Sequence, residues 1–151
     1  VPSVPESVFG ELDWFLTSTR YARLTSRALA FLFSAGVAGR PKTYYLAVID
    51  QLSDELERWR LSIPPGLRPG GASRAHTLLR SQATPAALWV HLLYHSFLLT
   101  LSRTVLQLAS SQEGPVSPDR ETKSKDLVMN AAQSMLELTT LIDVEPYTPL
   151  W

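Results

Sequence analysis

The sequence has no cysteine among its 151 residues. That excludes disulfides, a thiolate nucleophile and every cysteine-based metal site, and it leaves the compartment open. Neither sign of charge is in excess, because Lys plus Arg and Asp plus Glu both number 14. No global field therefore draws the chain to nucleic acid, anionic lipid or an acidic substrate. The opening VPSVPES lacks the basic-then-apolar order of a secretory signal. A GxGxxG loop, a Walker-type lysine and a serine in a nucleophile elbow are all missing, so neither a dinucleotide fold nor a hydrolase signature is present. No stretch alternates like a strand over a useful length, and no repeat of fixed period recurs. What remains is a chain long enough for one domain with a real core.

The dominant feature is Ala86 to Leu101, AALWVHLLYHSFLLTL. It carries no acidic or basic residue when its two histidines are neutral. Leu88, Trp89, Val90, Leu92, Leu93, Tyr94, Phe97, Leu98, Leu99 and Leu101 fall on every side of a helix, and a helix apolar all round is expected to be buried all round. The run is shorter than the roughly 20 residues a bilayer span needs, and it contains His91 and His95, with Arg103 close behind. It reads as the central helix, about 85–112, of an all-α fold, wrapped by the chain's other helices.

The flanking segments supply the other helices. The first is expected to start near Glu6 or Ser7, just after Pro5, with Val8, Leu12, Phe15 and Leu16 on its apolar side. Tyr21, Leu24, Ala28, Leu29, Phe31 and Leu32 continue it with a change of buried face, until Gly36, Gly39 and Pro41 end it. Arg20, Arg23 and Arg27 lie near one face and read as a solvated side rather than a phosphate stripe. The second helix runs from about Lys42 to Leu61, with Ile49, Leu52, Leu56, Trp59 and Ile63 as its stripe. Asp50, Asp54, Glu55 and Glu57 mostly face water, and Asp54 with Arg58 makes a weak surface pair. Pro64 and Pro65 stop it. Residues 64–84 form an internal loop, with room for a helical turn around His76 to Leu79.

Thr84 with Pro85 starts the central helix, and Ser117 with Pro118 starts the last one, each a hydroxyl followed by proline at the first helical position. Charged residues from Arg120 to Asp126 keep the first turns of the last helix wet. Val128, Ala131, Ala132, Met135, Leu138 and Ile142 then face inward, and the two alanines permit close helix approach. Pro146 and Pro149 end it. The expected architecture is about four long helices with a central apolar one, as an antiparallel bundle or a piece of a helical array.

Chemistry-bearing residues are few. His91 and His95 are four apart and share a face, which is a spacing that can hold zinc. Position 92 is leucine rather than the glutamate of a metalloprotease motif, and no cysteine completes a site. They read as core histidines hydrogen-bonded to a neighbour or a buried water. Arg103 ends the apolar run and is expected to be half-buried, capping a carbonyl or an anion, or facing a pocket or a partner.

Three segments in order resemble the regulatory domain, or middle homology region, of fungal transcription factors of the binuclear zinc-cluster class. ELERWRLSIPPGL carries Leu56, Trp59, Ile63, Pro64 and Leu67 in that family's leucine–tryptophan–proline pattern. LWVHLLYHSFLLTLSRTVL matches its tyrosine–histidine helix at Leu92, Tyr94, His95, Leu98, Leu101 and Arg103. DLVMNAAQSMLELTTLIDVEPYTPLW is similar to the next helix, with its alanine pair at Ala131 and Ala132. The likeness covers roughly Leu46 to Trp151. The chain departs from the family pattern at Ser102 and Thr104, where histidine and proline are usual, and at Met129 and Asn130, where a cysteine often precedes the alanines.

The resemblance implies a non-enzymatic, nuclear regulatory domain that restrains or transmits activation, with zinc confined to a separate N-terminal cluster and no cofactor in this chain. With apolar residues at both ends (Val1, and Leu150 with Trp151), residues 1–151 are expected to be a piece of a larger middle homology region. Expected partners are co-regulator proteins, other domains of the same factor, a small-molecule effector or a second copy of the chain. Direct nucleic-acid contact and membrane insertion are not expected. Trp89, Tyr94, His95 and Arg103 are the candidate effector-binding residues. Two other readings are a helical protein-interaction module without a small ligand, and a helical-bundle metal protein or enzyme using His91 and His95.

Overall fold

The computed structural model describes residues 12–70, 85–111, 114 and 116–141. Four long helices carry the fold: α1 Trp14–Ala28, α2 Lys42–Leu61, α3 Pro85–Ser110 and α4 Pro118–Thr139. A π-helical turn, Leu29–Phe33, extends α1, and a short 3-10 turn, Ala35–Val37, leads toward α2. No strand occurs among the described residues. The fold is all-α, as the periodicity predicts.

α1 starts later than its apolar pattern suggests. Leu12 and Asp13 are not helical, and Asp13 caps the helix by accepting a hydrogen bond from the Leu16 amide at 2.8 Å. A carboxylate that satisfies a free first-turn amide fixes where a helix begins. Phe15 and Leu16 thus fall in the first turn and point outward, Phe15 with 81% of its surface exposed. The buried face is Thr17, Leu24, Ala28 and Leu32, with Tyr21 partly covered. Gly39 ends the segment with φ +80°, a left-handed conformation that a side chain resists.

α2 has the bounds and stripe its sequence predicts. Ile49, Leu52, Leu56, Trp59 and the following Ile63 are all buried. Full burial of each aliphatic side chain is worth about 1.5–3 kcal/mol. The acidic face differs in detail. Arg58 donates to the Asp54 backbone carbonyl at 3.3 Å instead of to its carboxylate. Glu55 is drawn to Arg27 of α1 at 2.7 Å.

α3 and α4 form an antiparallel hairpin around Gly114, whose φ of +79° again requires glycine's freedom. Ala87 and Leu138 pack together far from this turn, while Val116 beside it enters the main core. Ala131 is buried where the two helices approach, in line with the small-residue expectation. The buried Lys42 at the start of α2 donates to the Gly114 carbonyl and pins that turn.

The main core joins α1, α2 and α3. Trp59 Nε1 donates to the Thr17 carbonyl at 3.0 Å, and the Tyr21 hydroxyl donates to the Leu93 carbonyl at 3.0 Å. Tyr21 lies between Trp59 and Phe97, at ring separations of 5.3 and 6.0 Å. Such offset and edge arrangements are the favoured aromatic geometries. Val90, Phe97, Leu101 and Val105 of α3 close the same interior.

The expectation that α3 is buried on every side is corrected. Trp89 is 56% exposed, and Thr100, Arg103, Gln107 and Ser110 follow it along an outward stripe. α1 and α2 cover one flank and α4 another, which leaves a strip of a long cylinder facing water. Leu98 is partly buried against the core. The expected first-helix start at Glu6 or Ser7 with Val8, the turn at His76 to Leu79, the Thr84 cap, Ile142, and the stops at Pro146 and Pro149 lie outside the described residues.

Candidate functional site

The four residues singled out from sequence do not converge. Trp89 stands on the outer stripe, with its ring edge to Trp14 at 6.3 Å. Arg103 is exposed on the same stripe, fourteen positions or about 21 Å further along the helix. This corrects the expectation that Arg103 is half-buried. It follows the last inward turn of the apolar run, but its own position faces out. Tyr94 and His95 are neighbours on α3, with rings 5.2 Å apart.

Tyr94 packs on the core beside the Glu57–Arg60 pair of α2. Burial holds its hydroxyl above the usual phenol range, the nearby Glu57 carboxylate adds to that, and Arg60 opposes it. Arg60 grips Glu57 with two nitrogens, at 2.7 and 2.5 Å, and donates to the Pro69 carbonyl at 3.0 Å. These bonds to Arg60 pull the Glu57 carboxyl below its ordinary range. The pair therefore fixes the exit of α2 toward the loop.

His91 and His95 are both buried, with rings 6.3 Å apart. Burial first, and then the neighbouring His95, push His91 down to about 4, against a weaker opposing hydrogen bond to the Leu67 backbone. Burial lowers His95 as well. The Nδ1 atoms of both rings are enclosed without a hydrogen-bond partner, so the expected satisfaction by a neighbour holds only for the Leu67 contact of His91. Among the described residues no three His, Asp or Glu side chains cluster as metal ligands.

The site that sequence reasoning missed lies where α2, α3 and α4 meet. A groove of about 710 Å³ opens there, within the size range of small-molecule sites. Its floor is apolar, from Ile49, Leu98, Leu101, Val105 and Leu127. Two serines on facing helices, Ser102 and Ser124, are buried in its walls. Asp50, Ser53, Asp54, Asp119, Arg120 and Lys123 give it a polar rim. Arg120 ties α4 to α2 across one edge, donating to both Asp50 carboxylate oxygens at 3.1 and 2.6 Å and to the Leu46 carbonyl at 3.2 Å. Asp50 and Arg120 are seventy residues apart in sequence, which is why no local pattern announces the pair.

No family model, curated protein or solved structure matches the chain. The functional reading therefore rests on the residues and their geometry. The groove offers an apolar bed, hydroxyls and charges of both signs. Such a lining suits recognition of an amphipathic small molecule. It holds no histidine, and His95 lies about two turns before Ser102 along α3. Among the described residues no helix is long and apolar enough to cross a membrane.

Proposed function

We propose that this chain is a regulatory, non-enzymatic helical domain of a fungal zinc-cluster transcription factor, acting in the nucleus through a small-molecule effector or a co-regulator. Two things support the reading. The leucine–tryptophan–proline segment and the tyrosine–histidine helix, which carry the sequence resemblance, contribute to one interior through Trp59, Ile63, Val90, Phe97 and Leu101. The observation that carries the effector role is the groove between α2, α3 and α4, lined by the second of those segments and by α4.

The mechanism is a shift of population. An effector that fits the groove better when the Arg120–Asp50 contact is closed favours that packing over one in which α4 swings from α2. The rim contact is exposed to water, so it costs little to break. That makes it a suitable element to bias.

The test is a bulky residue on the rim. Ser53→Trp, at a half-buried position, is expected to abolish the effector- or co-regulator-dependent change in reporter output of the complete factor, with the helical circular-dichroism signal retained. A folded variant with an unchanged response contradicts the groove as the effector site.

A second reading, a protein-interaction module without a small ligand, is favoured by the outward aromatic patch. Trp89 is 56% exposed with its ring against Trp14, and Phe15, next to Trp14 in sequence, is 81% exposed; exposed apolar surface of this kind marks contact surfaces.

A further inference from the structure

A second groove, separate from the effector site and independent of that reading, lies between α1 and the end of α2. Its volume is about 390 Å³. Arg20, Arg23 and Arg27 of α1 line it at spacings of three and four, the positions that share one helix face. Arg58 joins them from α2, and Glu55 is the acidic residue among the lining. Four guanidiniums against one carboxylate leave three net positive charges in one concavity of a chain with no net charge. Like charges three and four apart on a helix oppose its formation, so the spacing of these arginines does not help α1 form.

The internal partners of these cations are limited. Glu55 is engaged by Arg27 at 2.7 Å. Among the described residues Arg58 donates to the Asp54 backbone carbonyl, at 3.3 Å, and to no carboxylate. Arg20 and Arg23 have no acidic partner among the described residues. The last carbonyls of α2 do not take up these charges either. The Ser62 amide donates to the carbonyls of Arg58 and Trp59 at 3.1 Å each, and the Ser62 hydroxyl donates to Trp59 at 2.7 Å.

We infer that this groove binds a compact polyphosphate, either a free small molecule or the headgroup of a phosphorylated lipid. Guanidinium forks match phosphate oxygens with paired hydrogen bonds, and arginine does this better than lysine. Four forks around one hollow can meet a multiply charged tetrahedral group from several sides. A nucleobase finds no platform here, because Trp59 and Leu24 are buried in the wall and present no free face. An extended acidic peptide would place only a few carboxylates within so small a hollow.

The probes are inositol hexakisphosphate in solution, vesicles carrying phosphatidylinositol bisphosphate in a neutral lipid background, and polyglutamate. They are tested by calorimetry and vesicle sedimentation against the intact chain at about 0.1 M salt, where long-range screening is already strong. Saturable binding of the soluble phosphate with one site per chain is expected. The double variant Arg20→Gln/Arg23→Gln is expected to weaken it by about tenfold or more, since each lost charge-assisted contact is substantial. Glu55→Gln is expected to tighten it several-fold. Lys125→Gln removes the same charge from an exposed site on α4 and is expected to leave it unchanged.

Vesicle binding with the same variant pattern assigns the source to a lipid headgroup, and its absence beside soluble binding assigns it to a free ligand. No binding of either phosphate probe overturns the inference. So does equal binding of polyglutamate, or equal weakening by Lys125→Gln. All three variants alter exposed or half-buried polar side chains, so folding is expected to survive and is checked by circular dichroism.

Discussion

Trp59→Ala is expected to destabilise the protein by roughly 3–5 kcal/mol, the usual range for deleting a buried indole. Trp59 is 4% exposed, packs on Tyr21 and donates to the Thr17 carbonyl. Removing it empties the meeting point of α1, α2 and α3 and takes the indole donor from the Thr17 carbonyl, which keeps its helical bond within α1. Domains of this size have only about 5–15 kcal/mol in total, so the variant is expected to unfold at a much lower urea midpoint. Trp59→Phe separates the two contributions. It keeps much of the ring and loses the hydrogen bond, at a cost of about 0.5–1.5 kcal/mol for one bond to an acceptor that keeps its helical donor. Urea unfolding followed by far-ultraviolet circular dichroism measures both. A loss below about 1 kcal/mol for Trp59→Ala contradicts the shared interior.

The second large effect is acid sensitivity. In the folded protein burial pushes His91 down to about 4 from its ordinary 6.5. Above pH 6.5 the ring is neutral in both folded and unfolded chains, and it contributes nothing to pH dependence. As pH falls below 6.5 the unfolded chain takes up a proton that the folded one refuses. Stability then drops by about 1.4 kcal/mol per unit, reaching about 3 kcal/mol near pH 4. His95 acts in the same direction. The expected result is a clear fall in the urea midpoint between pH 6.5 and 5, above the range where most carboxylates titrate. His91→Leu is expected to flatten part of that slope. A wild-type midpoint constant from pH 7 to 5 contradicts the burial of these rings in neutral form.

The parts of this fold that were legible in the sequence are those where local and tertiary demands coincide. α2 is framed by Pro41 and by Pro64 with Pro65, and its apolar residues all fall on one face. Its bounds and stripe are therefore those of the structure. The serine–proline pair at 117 and 118 marks the start of α4, although the Ser117 hydroxyl makes no capping bond there. Where the two demands part, the pattern misleads. Phe15 and Leu16 continue an apolar spacing, but the Asp13 cap just before them decides where α1 begins. Trp89 lies in a segment apolar on all sides, yet three neighbouring helices do not enclose a cylinder.

The sites were less legible than the fold for a related reason. Tyr94 and His95 stand out in the sequence because they lie in the apolar run, and the structure packs Tyr94 against the core and buries His95. Arg103 stands out by its apolar neighbours in sequence, but its direction on the helix is set by α3 register and points to water. The groove at Ser102, Ser124 and Arg120 joins three helices from distant parts of the chain. Only the small residues Ser102 and Ser124, set among larger ones, hint at a hollow. The arginine face of α1 was visible as a face. Its partner Arg58, which turns a face into a concavity, is placed by tertiary packing alone.

Native-state hydrogen exchange at increasing denaturant is the most direct test that α2 and α3 share one interior. Amides of Leu56 and Trp59 in α2, and of Phe97 and Leu101 in α3, are predicted to merge into a single opening with one free energy, agreeing within about 0.5 kcal/mol, because buried elements of one core are released together. Exchange of α3 with α4 through a separate, lower-energy opening, while α2 stays protected, would show two independent packing units and contradict the account.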